Sequence, residues 1–131
     1  MAVEREIVGD RHRAVLLVDR ASAAAAAMTR TLDDHRIEYV IVGRWTEALE
    51  QLVEEVFEFV LLDLDMVGVP GVRLIGMVQA AAPNATIVVI SELEVIDLAA
   101  LEAGASLVVR PSDLRPLQEM VRHVAVPASD P

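Results

Sequence analysis

Four apolar runs, each followed by a polar or charged residue, most strongly constrain how this chain can fold. The runs cover residues 15–18 before Asp19, 59–62 before Asp63, 87–90 before Ser91, and 107–109 before Arg110. Continuous Val, Leu and Ile without polar alternation are typical of strands buried on both faces of a parallel sheet. A carboxylate at the end of such a strand is costly to bury unless it is paired or used. We therefore expect one edge of one sheet to gather these polar side chains into the functional site.

Helical patterns separate the apolar runs. The sequence predicts strands at 14–18, 38–42, 59–63, 86–90 and 106–109, and helices at 22–35, 46–56, 71–81, 94–103 and 113–124. Strands that alternate with helices predict an α/β fold with a parallel sheet covered on both faces. Units of this length favour a five-stranded sheet in the order 2-1-3-4-5, which is the flavodoxin-like order. The first and third strands are then neighbours, so Asp19 and Asp63 lie close together.

The length of 131 residues favours a single domain. We predict a flexible arm at 1–12, the folded domain at 13–125, and a tail or the start of a linker at 126–131. Cysteine is absent, which excludes disulfides and thiolate metal sites. The net charge of −10 argues against direct contact with nucleic acid. No apolar stretch reaches the length of a membrane span, so we expect no membrane contact and a cytoplasmic location.

Six ordered motifs carry a resemblance to a known family. They are Leu16-Leu17-Val18-Asp19, Val60-Leu61-Leu62-Asp63-Leu64-Asp65-Met66, Gly71, Ile90-Ser91, Gly104-Ala105 and Arg110-Pro111. In this order and spacing the chain resembles the receiver domain (CheY-like) of bacterial two-component response regulators, over residues 14 to about 124. The resemblance implies a (βα)5 receiver fold in phosphorelay signal transduction, with no catalytic activity beyond self-phosphorylation and dephosphorylation.

The resemblance also implies the roles of individual residues. Asp63 would be the phosphoacceptor, Ser91 the switch hydroxyl, and Arg110 the cation on the phosphoryl oxygens, in place of the usual lysine. Mg²⁺ would be held by Asp19, Asp63 and the backbone carbonyl of Asp65. The peptide bond after Arg110 would be cis. The expected partners are a sensor histidine kinase or another signalling protein, and a second copy through the face of the fourth helix, fifth strand and fifth helix.

Several positions depart from the family pattern and predict an atypical, degenerate pocket. Arg20 replaces the second acid after the first strand, so Mg²⁺ binding is expected to be weak or absent. Arg20 either pairs with Asp63 or points to solvent. Glu92 places a bulky anion beside Ser91, and Leu107 stands where the family has an aromatic switch residue.

The sequence leaves simpler roles open for two site residues. Asp19 is as well explained by capping the first helix, or by pairing with Arg20, as by metal binding. Ser91 has a residue type that favours the N-cap of the helix that follows. Trp45 is predicted at the start of the second helix, in a packing role.

Two functions follow, and they differ in the fate of Asp63. The preferred one is an atypical receiver that acts mainly as a protein-interaction module, with phosphorylation of Asp63 impaired or absent. The alternative is a working phosphoacceptor that a histidine kinase phosphorylates on Asp63. A flavodoxin-like small-molecule binder is disfavoured, because residues 20–24 contain one hydroxyl and no glycine. The sequence does not identify the cognate kinase, the output pathway or the oligomeric state.

Overall fold

A computed structural model describes residues 15–19, 22–66 and 68–125. The strands are β1 (Val15–Val18), β2 (Tyr39–Val42), β3 (Phe59–Asp63), β4 (Thr86–Ile90) and β5 (Leu107–Val109). The helices are α1 (Ala23–Asp34), α2 (Trp45–Glu54), α3 (Arg73–Ala81), α4 (Asp97–Ala103) and α5 (Arg115–Ala125). The predicted arm at 1–12 and tail at 126–131 lie outside the described residues, so the domain boundaries stay predictions.

The strands form one parallel sheet in the order β2-β1-β3-β4-β5. The α/β fold with a parallel sheet, predicted from the alternating pattern, is confirmed. In the register, Asp63 at the end of β3 lies opposite Ile90 at the end of β4. The carboxyl ends of β3 and β4 therefore meet at one edge of the sheet. Within the described residues, no helix has the length and apolar character needed to cross a bilayer.

The sheet separates two hydrophobic cores. Successive residues of a strand point to opposite faces, so Val60 and Leu62 enter one core while Leu61 enters the other. The first core is completed by buried residues of α2, α3 and α4, and the second by buried residues of α1 and α5. All three of these β3 residues are at most 1% exposed. This two-sided burial explains why the strands read as continuous apolar runs.

The helix ends explain where the chain turns. Ser22 is the N-cap of α1, and its hydroxyl accepts a 3.0 Å hydrogen bond from a backbone N–H of the first turn. After α1, Arg36 adopts a left-handed conformation (φ 58°) and the Ile37 N–H donates to the Leu32 carbonyl at 2.9 Å. Gly104, predicted as the stop of α4, ends that helix with φ 128°. A 3₁₀ turn at Glu94–Ile96 occupies the first residues of the helix predicted at 94–103.

The peptide bond between Arg110 and Pro111 is trans, so the expectation of a cis bond is wrong. A turn reverses the chain at this point, because the Asp113 N–H donates to the Arg110 carbonyl at 2.9 Å. The turn brings the chain from the end of β5 back to the start of α5. This geometry needs no cis bond.

Candidate functional site

The candidate site lies at the carboxyl edge of the sheet, where Asp19, Asp63, Ser91 and Arg110 end or follow four strands. Backbone hydrogen bonds extend the sheet past its last regular residues and fix two of these positions. The Asp19 N–H donates to the Val42 carbonyl at 3.0 Å, and the Ser91 N–H donates to the Val109 carbonyl at 3.0 Å. The predicted gathering of polar residues at one edge is therefore built by the strands themselves.

Asp63 is the last residue of β3 and is half-buried. Its Oδ1 accepts a 2.8 Å hydrogen bond from the backbone N–H of Asp65. The next residue, Leu64, donates its N–H to the Ile90 carbonyl at 3.0 Å, which ties the start of the loop to β4. The carboxylate of Asp63 is thus held by its own loop, with part of its surface open to solvent.

Asp19 is almost fully buried, with 2% of its surface exposed. The hydroxyl of Ser22, the N-cap of α1, lies 3.4 Å from Asp19 Oδ2 and donates to it. Ser22, and not Asp19, is therefore the N-cap of α1, so the capping role considered for Asp19 is wrong; Asp19 contacts the cap residue instead. Arg20 lies outside the described residues, and its pairing with Asp63 stays a prediction.

Asp65 bridges two loops through its side chain, a role that the sequence did not indicate. The Ser91 hydroxyl donates to Asp65 Oδ1 at 2.7 Å, and the Glu92 N–H donates to Asp65 Oδ2 at 2.9 Å. Ser91 is 1% exposed, and its Oγ also accepts from the Leu93 N–H at 3.0 Å. Ser91 is therefore not the N-cap of a helix; its hydroxyl orders the loop between β4 and α4.

Arg110 turns toward α4. Its Nη1 donates to the Ser91 carbonyl at 2.7 Å, and its Nη2 forms a 2.5 Å ion pair with Asp97 Oδ2. The hydrogen bond with Asp97 raises the pKa of Arg110 above its ordinary value. Within the described part of the chain, Arg110 forms no hydrogen bond or ion pair with Asp63. Asp97 was not singled out from the sequence, because an acid in the first turn of a helix is common.

Glu92 and Leu107, the other two predicted pocket modifiers, contact different parts of the structure. The carboxylate of Glu92 accepts from the N–H of Ser112 at 3.0 Å and from its hydroxyl at 3.3 Å. Glu92 thus connects the β4–α4 loop to the β5–α5 loop. Leu107 is half-buried and packs against the core beneath α1 and α5.

The acidic side chains at this edge already contact other groups of the protein. Mg²⁺ prefers six oxygen ligands in near-octahedral geometry, with carboxylates supplying charge. The carboxylate of Asp65 is bound to Ser91 and Glu92, and Asp19 contacts Ser22. Among the residues that the structure describes, no group of three or more His, Cys, Asp or Glu is arranged to hold a metal ion. The groups that the resemblance assigns to a cation here are the carboxylates of Asp19 and Asp63 and the backbone carbonyl of Asp65.

The fold and site together define an α/β domain whose central strand ends in the half-buried carboxylate of Asp63. Residues 15–122 match the response regulator receiver domain family. The chain belongs to this family, and its setting is two-component signalling by phosphorelay.

One curated relative and two solved structures illustrate the similarity. The response regulator protein FleR of Pseudomonas aeruginosa is 34% identical over an alignment of 115 residues, and the alignment covers 83% of this chain and 24% of FleR. The chain thus spans about a quarter of the length of that relative.

The solved structures are more distant in sequence. A CheY-like receiver domain protein from Methanospirillum hungatei JF-1 aligns with a TM-score of 0.74 and 20% identity, over 87% of this chain and 94% of its own. The response regulator protein TrrA from Thermotoga maritima, solved in complex with Mg²⁺-BeF, aligns with a TM-score of 0.73 and 21% identity, over 86% and 98%. At these identities the structural likeness shows the fold alone.

Proposed function

We propose that this receiver domain acts mainly as a protein-interaction module, with phosphorylation of Asp63 impaired. One observation carries the proposal: the two groups assigned to a phosphoryl group already have other partners. The Ser91 hydroxyl is bound to Asp65, and the Arg110 guanidinium is bound to Asp97. A phosphoryl group on Asp63 would have to displace both carboxylates before it gained these contacts.

The chemistry at stake is transfer of a phosphoryl group to Asp63. An Asp63 carboxylate oxygen would attack the phosphorus of the donor and form a new O–P bond. The bond from phosphorus to the leaving oxygen would break, and the leaving group would depart with the electron pair. This step concentrates negative charge at the sheet edge, so it depends on hydrogen-bond donors and cations that are free to receive that charge.

A working phosphoacceptor is the second candidate. Asp63 favours it, because its side chain is only half-buried and the family nucleophile position has kept its carboxylate. Mg²⁺ binding is proposed to be weak, because Arg20 in the sequence replaces an acid. The TrrA structure contains Mg²⁺-BeF, which extends to this chain only as a proposal.

The proposed partners are a sensor histidine kinase or another signalling protein, without direct nucleic-acid contact by this domain. A second copy is proposed to dock on the face formed by α4, β5 and α5. This face includes apolar side chains of α4 that are open to solvent, since Leu98 is 67% and Leu101 47% exposed. No catalytic activity is proposed beyond phosphorylation and dephosphorylation of Asp63 itself. A cytoplasmic location stays a prediction from the sequence.

The test is intact-mass analysis after incubation with acetyl phosphate and Mg²⁺. The set comprises the parent protein, Asp63→Asn and Arg20→Asp. A phosphoryl adduct adds ~80 Da, the mass of one PO₃H group. The proposal expects little or no adduct on the parent and none on Asp63→Asn. Efficient formation of an adduct on the parent that disappears in Asp63→Asn would establish the second candidate instead. An adduct that appears only in Arg20→Asp would assign the impairment to Arg20.

A further inference from the structure

We propose that the Asp65 carboxylate is a built-in competitor for the hydrogen-bond donors that an anion on Asp63 would use. This inference rests on the proposed function and extends it to the regulation of the same site. The first donor is the Ser91 hydroxyl, which is already assigned to the phosphoryl group, and the second is proposed to be the neighbouring Glu92 N–H; they bind separate oxygens of Asp65 at 2.7 and 2.9 Å. Asp65 is thus a positioning residue. Its own carboxylate is the anion that binds the β4–α4 loop when Asp63 carries no phosphoryl group.

The competition follows from the number of protons available. A serine hydroxyl has one O–H to donate, and a backbone amide has one N–H. Both protons point to Asp65, so a second oxyanion gains them only if the Asp65 carboxylate leaves. Hydrogen bonds to ionised acceptors are the stronger kind, which makes this occupation favourable.

The position of Asp65 in the chain keeps its carboxylate at the donor pair. Its backbone N–H donates to Asp63 Oδ1 at 2.8 Å, so the competitor is linked to the acceptor that it affects. A ligand attached two residues away is present at high effective concentration and needs no diffusion from solution. On the opposite side, Arg110 holds the carbonyl of Ser91 at 2.7 Å and restricts the movement of the loop.

The Asp65 carboxylate can leave the two donors because it lies at the surface. Asp65 is exposed, whereas Ser91 is 1% exposed. The carboxylate can therefore rotate into water and regain its hydration, while the hydroxyl stays in the protein and becomes available. A charged hydrogen bond of this kind changes the occupancy of the donor by a factor on the order of 10–100.

The test compares Asp65→Asn and Asp65→Ala with the parent protein, and uses Asp34→Asn as the matched control. Asp34 is an exposed acid at the end of α1, so its change removes one charge far from the site in the chain. The first measurement is hydrogen exchange of the Glu92 amide by NMR. The second is the initial rate of adduct formation with acetyl phosphate and Mg²⁺.

Loss of the competitor is expected to speed exchange of the Glu92 amide about tenfold and adduct formation about tenfold, most clearly in Asp65→Ala. The Asn variant keeps one oxygen that can accept from Ser91, so its effect is expected to be smaller. Asp34→Asn is expected to match the parent in both measurements. Adding Ser91→Ala to Asp65→Ala is expected to remove most of the gain in rate, because the freed hydroxyl is then absent.

The two measurements separate this inference from the proposed function. The adduct level of the parent tests whether phosphorylation is impaired, whereas the ratio of Asp65→Ala to the parent tests the competitor. Unchanged exchange at Glu92 would overturn the inference, since the carboxylate would then not hold the amide. Faster exchange without faster adduct formation, including no adduct in either protein, would overturn it as well and reduce Asp65 to a loop contact. Efficient phosphorylation of the parent, with a further tenfold gain in Asp65→Ala, would refute only the proposed function.

Discussion

Replacing Ser91 by alanine should destabilise the domain by about 1–2 kcal/mol. The hydroxyl donates to Asp65 at 2.7 Å and accepts from the Leu93 N–H at 3.0 Å, so two hydrogen bonds are lost at a position that is 1% exposed. A bond to an ionised group contributes about 1.5–3 kcal/mol and a neutral one about 1 kcal/mol. Asp65 and Leu93 are exposed and regain contacts with water in the variant. The expected net loss is therefore about 1–2 kcal/mol, which is less than the sum of the two hydrogen bonds.

Urea unfolding measures this loss directly. With a slope of about 1.5–2 kcal/mol per molar urea, the midpoint should fall by about 0.5–1.3 M while the slope stays unchanged. Ser106→Ala is the matched control, because Ser106 is exposed and its hydroxyl forms no hydrogen bond among the described residues. If the midpoints of Ser91→Ala and Ser106→Ala agree with the parent, the hydroxyl does not stabilise the loop and the reasoning fails.

Three further predictions concern positions away from Ser91. Arg36→Gly should raise the free energy of unfolding by about 0.5–1 kcal/mol, because glycine tolerates the left-handed conformation (φ 58°), whereas Arg36→Ala should give no such gain in urea unfolding. Gly104→Ala should lower the thermal unfolding midpoint, because φ is 128° and the new Cβ would lie 2.9 Å from the Gln79 side chain; an unchanged midpoint would contradict this. The hydrogen bond from the Arg115 side chain lowers the pKa of Asp113 from 3.8 to about 2, so its stabilisation is complete above pH 3.8 and disappears as pH falls through 2. The urea midpoint of Arg115→Gln should therefore lie below that of the parent at pH 6 and converge with it near pH 2; a pH-independent difference would refute the assignment.

The strands were the most predictable part of the fold. The predicted bounds 59–63 and 86–90 agree with the structure to the residue, because each apolar run ends where a polar or loop-forming residue begins. Most predicted helix ends differ from the observed ends by one or two residues, because local backbone hydrogen bonds decide where a helix begins and ends. At α4, the first three residues predicted as helix form a 3₁₀ turn instead, since no hydrophobic period distinguishes the two over so short a stretch.

The sequence predicts where the site lies in the fold, but it does not predict which side chains contact each other there. Strand ends predict that Asp63 and Ser91 share an edge, because parallel strands end on the same side. The bond between Ser91 and Asp65 joins residues 26 positions apart, and the pair of Arg110 with Asp97 joins residues 13 apart. Such pairings depend on rotamers and loop paths that hydrophobic periodicity does not encode.

The contact made by Trp45 gives this domain a spectroscopic probe of its own. Trp45 is the single tryptophan of the chain and the first residue of α2, and its indole Nε1 donates to the Gly68 carbonyl at 3.2 Å. Gly68 belongs to the loop that connects the acceptor strand β3 to α3. Any ligand or covalent group that shifts this loop changes the polarity and hydrogen bonding of the indole. The emission of the unlabelled protein can therefore report events at the sheet edge in real time, with no dye or added residue near the site.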